Sequence, residues 1–157
     1  MRTLSKKTQY TLRALYNLSD KHGGALATIG DIAREESIPK KFLEQILLTL
    51  KRDGFVESRP GRQGGYLLAR PPRAITLGQV IRSIEGPLAP LPCASESRFR
   101  KCDECVDIQT CGTRMVMREV RDAMAHILDS TTLEAVCRRQ KEARAVAGDQ
   151  ETLMYYI

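Results

Sequence analysis

The sequence predicts a mainly α-helical fold with a small β-hairpin wing, a winged helix-turn-helix joined to a long dimerisation helix. Three observations predict it. Apolar residues recur at helical spacing in three segments before residue 54, two short strand-like runs then flank a glycine-rich tip, and a further helical stretch follows a polar segment crowded with cysteines. These signals divide the chain into residues 1–86 (winged DNA-binding domain), 87–112 (cysteine-rich sensor loop), 113–147 (dimerisation helices) and 148–157 (tail).

Ser5 is placed to cap a first helix running to about Lys21, with Leu12, Leu15 and Leu18 on one side and Gly23-Gly24 beyond its end. Thr28-Ile-Gly-Asp31 resembles a capping box and opens a short helix carrying Ile29, Ile32 and Ala33. Glu35-Glu36-Ser37 makes a tight connection, and Pro39 suits the first turn of a third helix. There Leu43, Ile46, Leu47 and Leu50 fall at i, i+3, i+4 and i+7, a core-facing stripe that ends at Asp53-Gly54. Phe55–Ser58 and Tyr66–Ala69 then alternate as strands do, with a proline and three glycines between them.

In this architecture the third helix enters the major groove and the hairpin lies against the backbone. Lys40 and Lys41 suit phosphate contacts, Glu44 a cytosine amine and Gln45 an adenine edge. Arg59 and Arg62 flank the hairpin tip, where Gln63 and Gly64 complete the candidate DNA-binding set, and Gly61, Gly64 and Gly65 permit a close backbone approach. Charge agrees. Residues 1–73 carry 14 Lys and Arg against 7 Asp and Glu, a surplus of +7, while residues 74–157 carry 11 against 12, so the net +6 comes entirely from the first half. Such asymmetry points to a polyanionic partner, double-stranded DNA before a membrane surface.

Past Pro71-Pro72, Thr76-Leu-Gly-Gln79 forms another capping box, and Leu77, Val80, Ile81 and Ile84 stripe the helix it opens until Gly86-Pro87. After the loop a helix from about Thr113 to Leu128 presents Met117, Val120, Met124, Ile127 and Leu128, with Arg114, Arg118, Arg121 and Asp122 on other faces. Its apolar face exceeds what so small a module can cover, which predicts a homodimer offering two recognition helices to a palindromic operator. Thr131-Thr-Leu-Glu134 starts a last helix to about Ala145, with Cys137 as buried packing.

Between these parts, Cys93, Cys102, Cys105 and Cys111 occupy nineteen residues in the pattern C-x8-C-x2-C-x5-C. No apolar run approaches the roughly 20 residues of a membrane span, and no secretory h-region follows the N-terminal charges, so a cytoplasmic protein is expected. Cytosolic thiols stay reduced, and a polar cluster of them points to metal or redox chemistry. Spacing alone leaves an iron–sulfur cluster, zinc and a thiol–disulfide switch open. An enzyme is not expected, with only His22 and His126 in the chain and neither near the loop in sequence.

The segments MRTLSKKTQYTLRALYNL, IPKKFLEQILLTLKRDGFVESRPGRQGGYLLAR, ITLGQVIRSIEG and CGTRMVMREVRDAM resemble the Rrf-two family of winged helix-turn-helix regulators, of the IscR and NsrR kind, over about residues 1–140. The resemblance implies a homodimeric transcriptional regulator, in most cases a repressor, that senses iron–sulfur, redox or nitric oxide status. It implies a [2Fe-2S] or [4Fe-4S] cluster on three loop cysteines and a non-cysteine ligand. Cys105 and Cys111 match the last two family ligands and Cys93 the first. The chain departs from the pattern in a long first gap holding the extra Cys102. Arg114 stands at the IscR histidine position, Gln9 where some relatives carry an acid, and Met117 at a common tryptophan. The departures make Cys102 a candidate fourth ligand. A metal-free disulfide switch and control by a protein partner are the alternatives.

Overall fold

The computed structural model describes residues 4–154, with side chains described through residue 147. Helix α1 spans Lys6–Asp20, α2 Ile29–Glu35 and α3 Lys40–Arg52. Strands β1 (Val56–Arg59) and β2 (Gly65–Leu68) follow, then α4 (Leu77–Glu85), α5 (Gly112–Ser130) and α6 (Leu133–Met154).

The boundaries follow from the caps. Ser5 Oγ accepts the Thr8 amide, Thr28 Oγ1 accepts from Asp31, and Thr76 and Gln79 form the reciprocal box at α4, satisfying amides that a helix start leaves without partners. Pro39 stands at the N-cap of α3, one residue earlier than expected, with the missing amide of its ring costing nothing there. Ala135 N donates to Thr132 Oγ1, so Thr132 rather than Thr131 caps the last helix. That helix runs past Ala145 to Met154, into the segment read as a tail.

The strands pair antiparallel in the register Val56↔Leu68 to Arg59↔Gly65. The outer edge of β2 is also used, because Ala27 and Tyr66 exchange both backbone hydrogen bonds at 3.1 and 2.8 Å. The wing is thereby tied to the segment before α2. Buried Leu15, Leu18, Ile32, Leu43, Ile46, Leu47, Leu50, Ile75, Val80 and Leu133 form one core. Each aliphatic side chain removed from water contributes about 1.5–3 kcal/mol before entropy is subtracted. Leu133 belongs to α6, so the end of the chain packs back on the first half, with α6 against α1.

Helix α5 is built differently. Among the described residues its one buried side chain is Arg121, against the expectation that this arginine lies on an outward polar face. Its apolar residues split into two edges: Met117, Met124 and Leu128 are half-buried on the fold, while Val116, Val120 and Ile127 are exposed. The C-terminal end is pinned by the bidentate Arg82–Asp129 pair at 2.6 and 2.8 Å and by backbone bonds from Leu77 N to Thr131 O and from Leu133 N to Ile75 O. Gly78 makes room for that pair, since a Cβ there would collide with the Asp129 carboxylate. No helix among the described residues is long and apolar enough to cross a membrane.

Candidate nucleic-acid interface and thiol centre

On α3, the four buried residues Leu43, Ile46, Leu47 and Leu50 leave Lys40, Lys41, Glu44 and Gln45 exposed, as the spacing requires. At 100° per residue, Leu48 falls between Glu44 and Gln45, directly opposite the core stripe. It is 71% exposed, an apolar side chain in the middle of the candidate reading face and outside the predicted site residues. The signal was available. A leucine outside the i, i+3, i+4, i+7 set has no core to join. Lys51 and Arg52 continue the positive surface, Lys51 through a 2.7 Å bond to Ser58 on β1.

In the wing, Arg59, Arg62 and Gln63 are exposed and Gly64 is half-buried. The glycines have an internal reason to be glycine. Gly61 has φ +107°, and a Cβ on Gly64 would fall on the Arg59 carbonyl. On Gly65 a Cβ would stand 2.7 Å from the Ala27 carbonyl oxygen, inside the extra β2 pairing.

The loop begins with a 3₁₀ turn, Pro92–Ala94, in which Cys93 is 4% exposed. Its thiol stands near those of Cys102 and Cys111. Burial first, then Cys102, pushes the Cys93 pKa above the ordinary thiol value. Cys102 is exposed, Cys105 and Cys111 are half-buried, and all five cysteines are free. Cys105 is linked to Cys102 through its amide, which donates to the Cys102 carbonyl at 3.2 Å. Cys111 is the N-cap residue of α5, reached through a turn in which Asp107 accepts from Gln109 N and Thr110 Oγ1. Among the described residues, no group of three or more His, Cys, Asp or Glu side chains is arranged to hold a metal ion.

Two arginines of α5 hold the Cys93 turn. Arg114 Nε donates to Cys93 O at 3.0 Å, its guanidinium lying over the Phe99 ring, and Arg121 donates to Ala94 O at 2.6 Å. Arg121 also pairs with Asp122 and with Glu96 of the loop. Sequence gave no sign of these bonds, because their acceptors are backbone carbonyls more than twenty residues away. Gln9 is exposed and donates to Leu4 O. Cys137 is buried on α6 with its sulfur 3.8 Å from Tyr16 O, a packing position as expected.

Comparison with known proteins matches residues 4–139 to the family described as "Rrf2: Iron-dependent Transcriptional regulator". An rrf2-like HTH-type transcriptional regulator of Rhodobacter capsulatus is 42% identical over 83% of this chain and 89% of its own. CymR of Bacillus subtilis is 34% identical over 98% of this chain and 99% of its own. Its structure, titled as that of the global cysteine regulator, superposes with a TM-score of 0.74 and 32% identity over 88% of this chain and 98% of CymR. IscR of T. potens gives a TM-score of 0.71 and 32% identity over 90% of each chain. The six helices and two-stranded wing are thus those of winged-helix regulators, and the chain belongs to the Rrf2 family of transcriptional regulators.

Proposed function

We propose that this regulator is a homodimeric repressor that reads a palindromic operator with α3 and the wing, and senses through a loop whose Cys93, Cys105 and Cys111, with Cys102 as fourth ligand, hold an iron–sulfur cluster. The observation that carries the sensor reading is the gathering of thiols far apart in sequence, buried Cys93 beside Cys102 and Cys111, in an otherwise polar loop. Thiolates fit [2Fe-2S], [4Fe-4S] and, as the lesser alternative, zinc in donor chemistry. A bound cluster would supply a site whose integrity depends on oxidants, nitric oxide and iron supply. The chain's own part is to fix the two ends of the loop, at the Cys93 turn and at the start of α5, so that ligation there constrains how α5 leaves the fold.

On the DNA side, Lys40, Lys41, Arg59 and Arg62 contact phosphates, Glu44 and Gln45 address base edges, and Gln63 and Gly64 approach the backbone. Leu48 adds an apolar contact suited to a thymine methyl, the one apolar feature of the major groove. The exposed Val116, Val120 and Ile127 edge is the dimer face.

The nearness of the Cys93 and Cys102 thiols favours one further reading, a metal-free switch. A peroxide would take two electrons and two protons from the pair, giving one S–S bond and two waters. One experiment separates the two readings. Anaerobically reconstituted protein is expected to contain iron and acid-labile sulfide, with visible absorption lost in Cys93→Ala, Cys105→Ala and Cys111→Ala. Colourless protein that loses two thiols to peroxide and changes operator affinity reversibly would establish the switch instead. Stoichiometric zinc with unaltered DNA binding would overturn both.

A further inference from the structure

We infer that Arg114 and Arg121 are positioning residues of the sensor, gripping the backbone of the Cys93 turn at two points so that a change at the Cys93 sulfur reorients α5. The inference rests on the sensor reading above, in either its cluster or its disulfide form. Carbonyls at the end of a short helical turn have no partner within it. Here Cys93 O and Ala94 O, consecutive in the chain, take theirs from two side chains of α5. The arginines are seven residues apart, two helical turns and roughly 10 Å along the axis.

A single hydrogen bond would let the helix pivot on the turn, whereas two bonds set its angle. Burying a guanidinium costs several kcal/mol unless its charge and donors are met. Arg121, 9% exposed, meets that cost with Ala94 O, Asp122 and Glu96, so part of its partnership lies in the loop itself. The Cys93 carbonyl is three bonds from its sulfur, and moving the sulfur into a ligated or oxidised geometry moves the acceptors of both bonds. Because α5 is pinned at its other end, by Arg82–Asp129 and by the Leu77–Thr131 backbone bond, displacement at the turn becomes rotation of the helix.

The test uses Arg121→Gln and Arg114→Gln in the full chain. Two quantities are read: the alkylation rate of Cys93 in reduced apoprotein, mapped by peptide mass spectrometry, and the affinity for an operator selected from random duplexes with the loop apo or in its cluster-loaded or oxidised state. In apoprotein, losing one charge-assisted bond is expected to open the turn and speed Cys93 alkylation by roughly 10-fold or more. Both variants should still bind the operator, with the affinity ratio between sensor states falling toward one. Unchanged alkylation, or a wild-type ratio kept in both variants, overturns the proposal while leaving the sensor reading intact. A wild-type ratio of one would instead remove the sensor reading, and the coupling with it. If Arg121→Gln fails to fold by circular dichroism, the half-buried Arg114→Gln decides the matter alone.

Discussion

The two halves of this molecule are held by different physics. The winged half closes on aliphatic side chains, four of them from α3 alone, and α1 and α2 start at side-chain caps. The loop and α5 carry no comparable core. Their fixed points are a buried arginine, hydrogen bonds to carbonyls and an ion pair, and one apolar edge of α5 faces outward. A region that folds on its own contacts is suited to presenting a rigid surface to DNA. A region held by a few polar contacts, with an apolar edge exposed, is the more easily re-set by what it binds.

The same chemical change should therefore have different consequences in the two regions. Leu50→Ala, in the core, is expected to cost about 3–5 kcal/mol of unfolding free energy, measured by urea denaturation. A loss below about 1 kcal/mol would mean that the α3 stripe does not carry the core of the winged half. Ile127→Ala removes a similar volume from a side chain that is 62% exposed. Its helical content should be unchanged, while sedimentation shows a dimer weakened by about 2 kcal/mol. An unaltered dimer would move the interface elsewhere. The smallest effect is expected at Asp53, where the winged half meets α4. Hydrogen bonds from Arg52 and then from Ser83 hold its carboxyl below the usual carboxylate pKa. The stability this supplies is present above the unfolded value near 4 and is lost as pH falls through the lower folded value. Asp53→Asn should lower stability at pH 7 by less than about 1 kcal/mol, Arg52 being exposed, and should not do so at pH 2. An equal loss at both pH values would assign the effect to packing.

The same contrast governs how much could be read from sequence. Periodicity and caps belong to contiguous residues, so Ser5, Thr28, the Thr76–Gln79 box and the α3 stripe were legible to within a residue or two. The errors there were offsets, as at Pro39 and Thr132, where neighbouring residues are chemically able to do the same job. The loop was legible only as a donor inventory. That Cys93 is buried and meets Cys102 depends on a turn fixed from α5, and Arg121 between Val120 and Asp122 looks like any surface arginine. Gly64 and Gly65 show a subtler gap. The sequence marks them as glycine without distinguishing a need to approach DNA from the steric need within the wing itself.

The junction between α5 and α6 is independent of the loop that precedes α5. Two of its fastenings, Leu77 N to Thr131 O and Leu133 N to Ile75 O, are backbone bonds that depend on no particular side chain at their ends. A hinge made this way persists when the segment upstream is exchanged, so loops of other lengths can stand between Pro92 and Cys111 while the arm keeps its fulcrum. The long Cys93–Cys102 gap is one such length, and the winged half need not be rebuilt around it.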